Sequence, residues 1–163
     1  MKKLYIIRHA KSSWSDAELN DFERSLSKRG KANAPMMGER LKKKGVMPDI
    51  IISSPAKRAK STAEIIAKEI GYEKKVLFDE NIYESSVDEL RKILTCINDK
   101  NSTVFLFGHN PELNMLVDYY VKFYENIPTC GVVEIAFMCD TWAEIAPKNA
   151  KLISFDYPKK SEE

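Results

Sequence analysis

The chain holds only two histidines and six arginines, and both histidines and two of the arginines fall just behind segments that read as buried strands. Arg8-His9 follows Leu4-Tyr5-Ile6-Ile7, Ser53-Ser54 and then Arg58 follow Asp49-Ile50-Ile51-Ile52, and Gly108-His109-Asn110 follows Thr103-Val104-Phe105-Leu106-Phe107. Ligands of open α/β sheets bind outside the carboxyl ends of the strands, so these residues gather at one rim. Two guanidinium forks beside two imidazoles and a helix N-terminus suit a dianionic phosphoryl group, because bidentate arginine and backbone N–H groups match its oxygens. A neutral histidine there can also be a nucleophile. It would form a phosphohistidine that water hydrolyses, while the cations stabilise charge spread over the equatorial oxygens, with no metal required.

Other chemistries lack their residues. No cysteine has an arginine six positions on, and G-x-x-x-x-G-K, G-x-G-x-x-G, G-x-S-x-G and H-E-x-x-H are all absent from the sequence. With two histidines, a metal centre would lean on carboxylates, and no tight Asp/Glu cluster sits at the expected strand ends. Arg58 stands six and eleven residues before Glu64 and Glu69, the wrong spacings for ion pairs along its own helix.

The elements that must hold these residues alternate. Apolar runs at 4–7, 49–52 and 103–107 read as buried parallel strands, with a weaker one at 76–78 and two more at 132–138 and 152–155. Between them, Ser27 caps a helix running to Lys44 and closed by Gly45, with a kink expected at Pro35. The Ser-Ser-Pro of 53–55 starts a helix to about Ile70, with the Ser as cap and Pro55 in the first helical position. Ser86-Val87-Asp88-Glu89 is a capping box before a helix to about Asn98. Asn110 caps and Pro111 opens a helix through Tyr124, and Trp142 to Ile145 suggests a short helical turn. This βα alternation implies an α/β fold, a mixed, mostly parallel central sheet covered by helices on both faces.

With 163 residues, 44% hydrophobic and 31% charged, the chain has the length and balance of one compact domain. We place that domain at residues 1–157, with a polar tail at 158–163. The net charge of +2, from 20 scattered Lys and 6 Arg against 24 acidic residues, makes neither nucleic acid nor an anionic membrane the expected partner. No apolar run is long enough to span a bilayer, and three Cys without a C-x-x-C pair suggest reduced thiols, so a cytoplasmic location is expected.

Taken in order, Ile7-Arg8-His9-Ala10, Arg24-x-Leu26-x-x-x-Gly30, Ser53-Ser54-Pro55-Ala56-Lys57-Arg58-Ala59-x-x-Thr62 and Gly108-His109-Asn110 resemble the histidine phosphatase superfamily, and most of all the short SixA-type phosphohistidine phosphatases. The resemblance covers nearly the whole chain and implies a phosphoglycerate-mutase-like fold. It implies that His9 takes the phosphoryl group, that Arg8 and Arg58 bind its oxygens, and that His109 completes the pocket. Ser54, Arg24 and Asn110 are further candidates for substrate binding, Asn110 also being a plain helix cap. Lys11, Ser12, Trp14 and Asp21 lie in the same polar loop as Arg24, at the expected pocket entrance. Glu84, in Ile82-Tyr83-Glu84, loosely matches the acid that protonates an alcohol leaving group in many relatives. Ala10 stands where relatives carry Gly, a harmless change at negative φ.

The expected activity is thus hydrolysis through a phosphohistidine intermediate, with no cofactor or metal. Its partner would be a phosphorylated protein, such as a phosphohistidine domain, or a small phosphorylated metabolite. The same residues also admit a small-molecule phosphomonoesterase, a mutase-like phosphotransferase, or a phospho-ligand binding protein without turnover.

Overall fold

Successive side chains of a strand point to opposite sides, and β1 (Lys2–Arg8) is apolar on both: Leu4 and Ile6 enter one core layer, Tyr5 and Ile7 the other. The computed structural model describes residues 1–15 and 19–160. The remaining strands are β2 (Ile50–Ser53), β3 (Leu77–Phe78), β4 (Thr103–Gly108), β5 (Val132–Phe137) and β6 (Ala150–Asp156). They form one sheet of order β3-β2-β4-β1-β5-β6, in which β5 alone runs against the others.

Helices α1 (Lys28–Lys43) and α2 (Lys57–Ile70) cover one face, packing Met37, Leu41, Ile66 and Ile70 against Tyr5, Ile7, Ile51 and Phe107. Helices α3 (Val87–Thr95) and α4 (Glu112–Val121) cover the other, packing Leu90, Leu94, Leu116 and Tyr120 against Leu4, Ile6, Leu106 and Ile135. Each such side chain taken fully out of water contributes about 1.5–3 kcal/mol, which is why the sheet is held between two apolar layers. The mostly parallel, two-sided α/β architecture is the one expected.

Parallel pairing aligns the strand ends. Arg8 lies opposite Gly108 and Ser53 opposite Phe107, so the residues after β1, β2 and β4 emerge side by side.

Several boundaries differ from expectation. Helix α2 begins at Lys57 with Ala56 as its cap, because the Ser54 hydroxyl accepts from the Ala56 amide and also meets His109. Helix α4 begins at Glu112 after Pro111 and stops at Val121, because Lys122 adopts a left-handed conformation, φ 51°. Helix α1 runs unbroken through Pro35, with Ser27 accepting from the Gly30 amide and Gly45 closing it at φ 70°. Of the expected polar tail, residues 161–163 lie outside the described residues.

Gly30 sits where α1 touches the loop behind β1: Ser27 donates through N and Oγ to the Lys11 carbonyl, at 2.8 and 3.1 Å. A Cβ on Gly30 would lie 2.1 Å from that same oxygen, a clash with backbone that no rotamer relieves. Gly30→Ala is therefore expected to cost about 1–3 kcal/mol, read as a lowered urea midpoint at unchanged slope. An unchanged midpoint would show that the loop yields freely.

Candidate active site

His9 is the first residue beyond β1. It is buried, and its backbone is held on both sides: its N–H donates to the Gly108 carbonyl at 3.1 Å, and its carbonyl accepts from Cys130 N at 3.0 Å. Its Nδ1 lies 2.7 Å from the Ala10 carbonyl. A carbonyl only accepts, so Nδ1 carries the proton and Nε2 of the neutral ring keeps a free lone pair. Ala10 is fully buried and avoids positive φ, so its methyl is tolerated where glycine was the expected residue.

Thr62 ties this turn to α2. Its hydroxyl accepts from Ala10 N at 2.9 Å and donates to the Arg58 carbonyl at 2.7 Å, which registers the His9 loop against the helix that carries Arg58. The sequence motif contained Thr62, yet nothing local disclosed a partner 52 positions away.

The arginines share one carboxylate. Arg58 donates to both the backbone oxygen and Oδ2 of Asp21, at 2.7 and 2.9 Å, and Arg24 donates to Asp21 Oδ1 at 3.1 Å. Tyr83 adds its hydroxyl to Oδ2 at 2.7 Å. Arg24 is further fixed by Ser12 Oγ and by the Trp14 ring, whose centroid is 3.1 Å from its guanidinium carbon. Arg8 Nη1 donates to the Ile127 carbonyl at 2.9 Å, while its buried Nε has no partner among the described residues.

His109 stands across from His9, with ring centroids 5.2 Å apart. Its Nε2 lies 2.8 Å from Ser54 Oγ, and its buried Nδ1 has no partner among the described residues. The Tyr83 ring meets it edge-on at 5.7 Å. Asn110 spends both polar atoms on backbone, donating to the Ile127 carbonyl and accepting from Asn114 N, each at 3.0 Å. Glu84 is exposed, at φ 50°, and makes no hydrogen bond or ion pair to the pocket among the described residues. So the structure brings Arg8, His9, Ser54, Arg58 and His109 together, with Arg24 joined to Arg58 through Asp21, while Glu84 is exposed beside Tyr83.

Burial pushes the His9 imidazole down to about 4 against its Ala10 hydrogen bond, and the charges of Arg58, Arg8 and Arg24 push the same way. Burial, then His9 and Arg58, hold His109 down to about 3, with Asp21 pulling it up. For Asp21 burial acts upward, but the hydrogen bonds from Tyr83, Arg58 and Arg24 outweigh it and bring the carboxyl to about 2. The resting pocket is thus cationic through its arginines while both imidazoles stay neutral. No group of three or more His, Cys, Asp or Glu side chains able to hold a metal ion occurs among the described residues. Nor, among them, is any helix long and apolar enough to cross a membrane.

Residues 4–103 match the model of the histidine phosphatase superfamily, branch 1. An uncharacterised chloroplast protein of Arabidopsis thaliana is 29% identical over 156 residues, which span 88% of this chain and 70% of the other. The fold superposes on a protein of Agrobacterium tumefaciens assigned as the phosphohistidine phosphatase SixA with a TM-score of 0.84, at 21% identity, over 96% of this chain and 98% of that one. It superposes on the protein histidine phosphatase SixA in complex with tungstate with a TM-score of 0.79, at 19% identity, over 96% and 97% of the two chains.

In an NMR titration the two imidazoles are expected to show midpoints near 4 and 3 instead of the usual 6.5. Because the folded values are depressed, the unfolded chain binds protons first as pH falls below 6.5, so stability drops from there towards pH 4. A His9 midpoint at 6 or above would mean that its burial is not maintained in solution.

Proposed function

The chain belongs to the histidine phosphatase superfamily, and from that premise we propose a metal-independent phosphatase that works through a phosphohistidine at His9. One observation carries this reading: the Nδ1–H bond to Ala10 that leaves Nε2 unprotonated inside an arginine-lined cup. In the proposed reaction Nε2 attacks phosphorus, the bond to the leaving group breaks, and water then displaces the imidazole to release inorganic phosphate. Arg8 and Arg58 hold the equatorial oxygens and Arg24 steadies the cup through Asp21. The unpartnered donors support an anionic ligand, because a buried N–H left unpaired costs about 1–3 kcal/mol that an incoming oxygen recovers.

Ser54 has a specific part. Its oxygen accepts from Ala56 N, and its hydrogen is available to His109 Nε2. In the proposed arrangement Ser54 donates to Nε2, so that the His109 proton lies on Nδ1, the atom lacking a partner among the described residues, and donates to a phosphoryl oxygen.

For the substrate we propose the phosphohistidine side chain of a protein. Likeness to SixA structures supports it, and so does the exposed Glu84: a phosphoramidate leaves readily once its ring is protonated, so no strong acid is required from the enzyme. The competing reading is an alcohol phosphomonoesterase or a mutase-like transferase. Its supporting observation is that Glu84 adjoins Tyr83, whose hydroxyl reaches Asp21 at the cup.

The test is transfer of radiolabelled phosphate from a substrate panel, with chelator present. Wild type is expected to acquire acid-labile, base-stable label and His9→Ala none, and loss of labelling on chelation would overturn the metal-free reading. Glu84→Ala is expected to slow phosphohistidine cleavage less than about tenfold, whereas a general acid is worth about 10²–10⁴. A loss in that range would move the assignment to alcohol esters.

A further inference from the structure

A cleft of about 260 Å³ lies beside the His9 loop, lined by Lys11, Arg29, Asn33, Thr129, Tyr157 and Lys159 together with two prolines. Four separate stretches of chain build it, and each is tied to the catalytic rim. Lys11 is two residues past His9, which keeps their Cα atoms within about 7 Å. Arg29 sits in the first turn of α1, whose cap Ser27 donates to the Lys11 carbonyl. Thr129 precedes Cys130, whose N–H holds the His9 carbonyl at 3.0 Å. Tyr157 and Lys159 follow β6, which runs in the same direction as β1, so they leave the sheet at the same edge as His9.

Among the described residues the charge there is uncompensated: Arg24 and Arg58 share Asp21, whereas Lys11, Arg29 and Lys159 make no side-chain hydrogen bond or ion pair, and no described carboxylate lines the cleft. Three cations facing one hollow repel one another until an anion enters, and the Thr129, Tyr157 and Asn33 side chains offer neutral donors beside them. From this we propose a second anion subsite, which holds a carboxylate or phosphate of the substrate other than the group being transferred. It rests on the phosphatase reading and narrows it: preferred substrates carry acidic side chains near the phosphorylated residue, or a second phosphate.

Two probe pairs distinguish these sources, a phosphopeptide with glutamate or with neutral flanks, and an alkyl bisphosphate or monophosphate. Their dissociation constants are measured by calorimetry on the His9→Ala chain, which cannot turn them over. The more anionic member of at least one pair is expected to bind about tenfold more tightly at low salt, and the responding pair names the source. Arg29→Glu/Lys159→Glu should bring that ratio to about one, and Arg29→Lys/Lys159→Arg should restore it. Ratios near one for both pairs before any change in the cleft overturn the subsite, as does a tenfold ratio that survives the charge reversal. Separately, hydrolysis of phosphoramidate and of a neutral aryl phosphate by the chain with His9 intact tests the phosphatase reading. Arg29→Glu/Lys159→Glu should leave both rates within about twofold. No phosphate released from any probe would sink that reading, while the binding ratios still decide the subsite.

Discussion

A single hydrogen bond, from His9 Nδ1 to the carbonyl of the next residue, governs the chemistry available at this rim. It decides which ring nitrogen keeps its lone pair, and it exists only while Ala10 is held still. Thr62 does that holding from α2, and the same hydroxyl grips the Arg58 carbonyl, so His9 and Arg58 share one fastening point. Deleting that bond would leave a buried amide unpaired and let the two groups drift apart together.

The positive charge of the pocket comes from its arginines. Desolvation and the neighbouring guanidinium groups together keep both imidazoles neutral. Asp21 partly offsets those cations while remaining half in solvent, and its four hydrogen bonds set the orientation of Arg58, Arg24 and Tyr83. The arginines are pre-oriented by protein contacts before any oxygen arrives, which lowers the ordering cost that binding would otherwise carry.

Much of this was legible from residue order. Arg8, His9 and His109 directly follow apolar runs, and a strand that runs into a polar pair signals the carboxyl edge of a buried sheet. Arg58 was legible from the helix start behind β2. The sequence makes Ser54 a helix cap and a candidate substrate contact; in the structure its hydroxyl turns to His109, 55 positions on, while Ala56 takes the cap. The sequence makes Asn110 a helix cap and a candidate substrate contact; in the structure Pro111 takes the cap, and both polar atoms of Asn110 go to backbone. Asp21 and Tyr83 gave no sign of their partnership, because contacts across 62 positions leave no periodic trace.

From the sequence alone came the alternation of strands and helices, the parallel sheet with its two apolar faces, and the rim on which histidines and arginines collect, since all of these follow from local hydrophobic period and strand-end chemistry. The tertiary structure alone decided the tautomer of His9, the anchoring of Arg58 and Arg24 on Asp21, the exposure of Glu84 and the gathering in the cleft of three cations unpaired among the described residues. Those depend on directions and distances between side chains far apart in the chain, and such geometry exists only once the packed sheet fixes each backbone relative to the others.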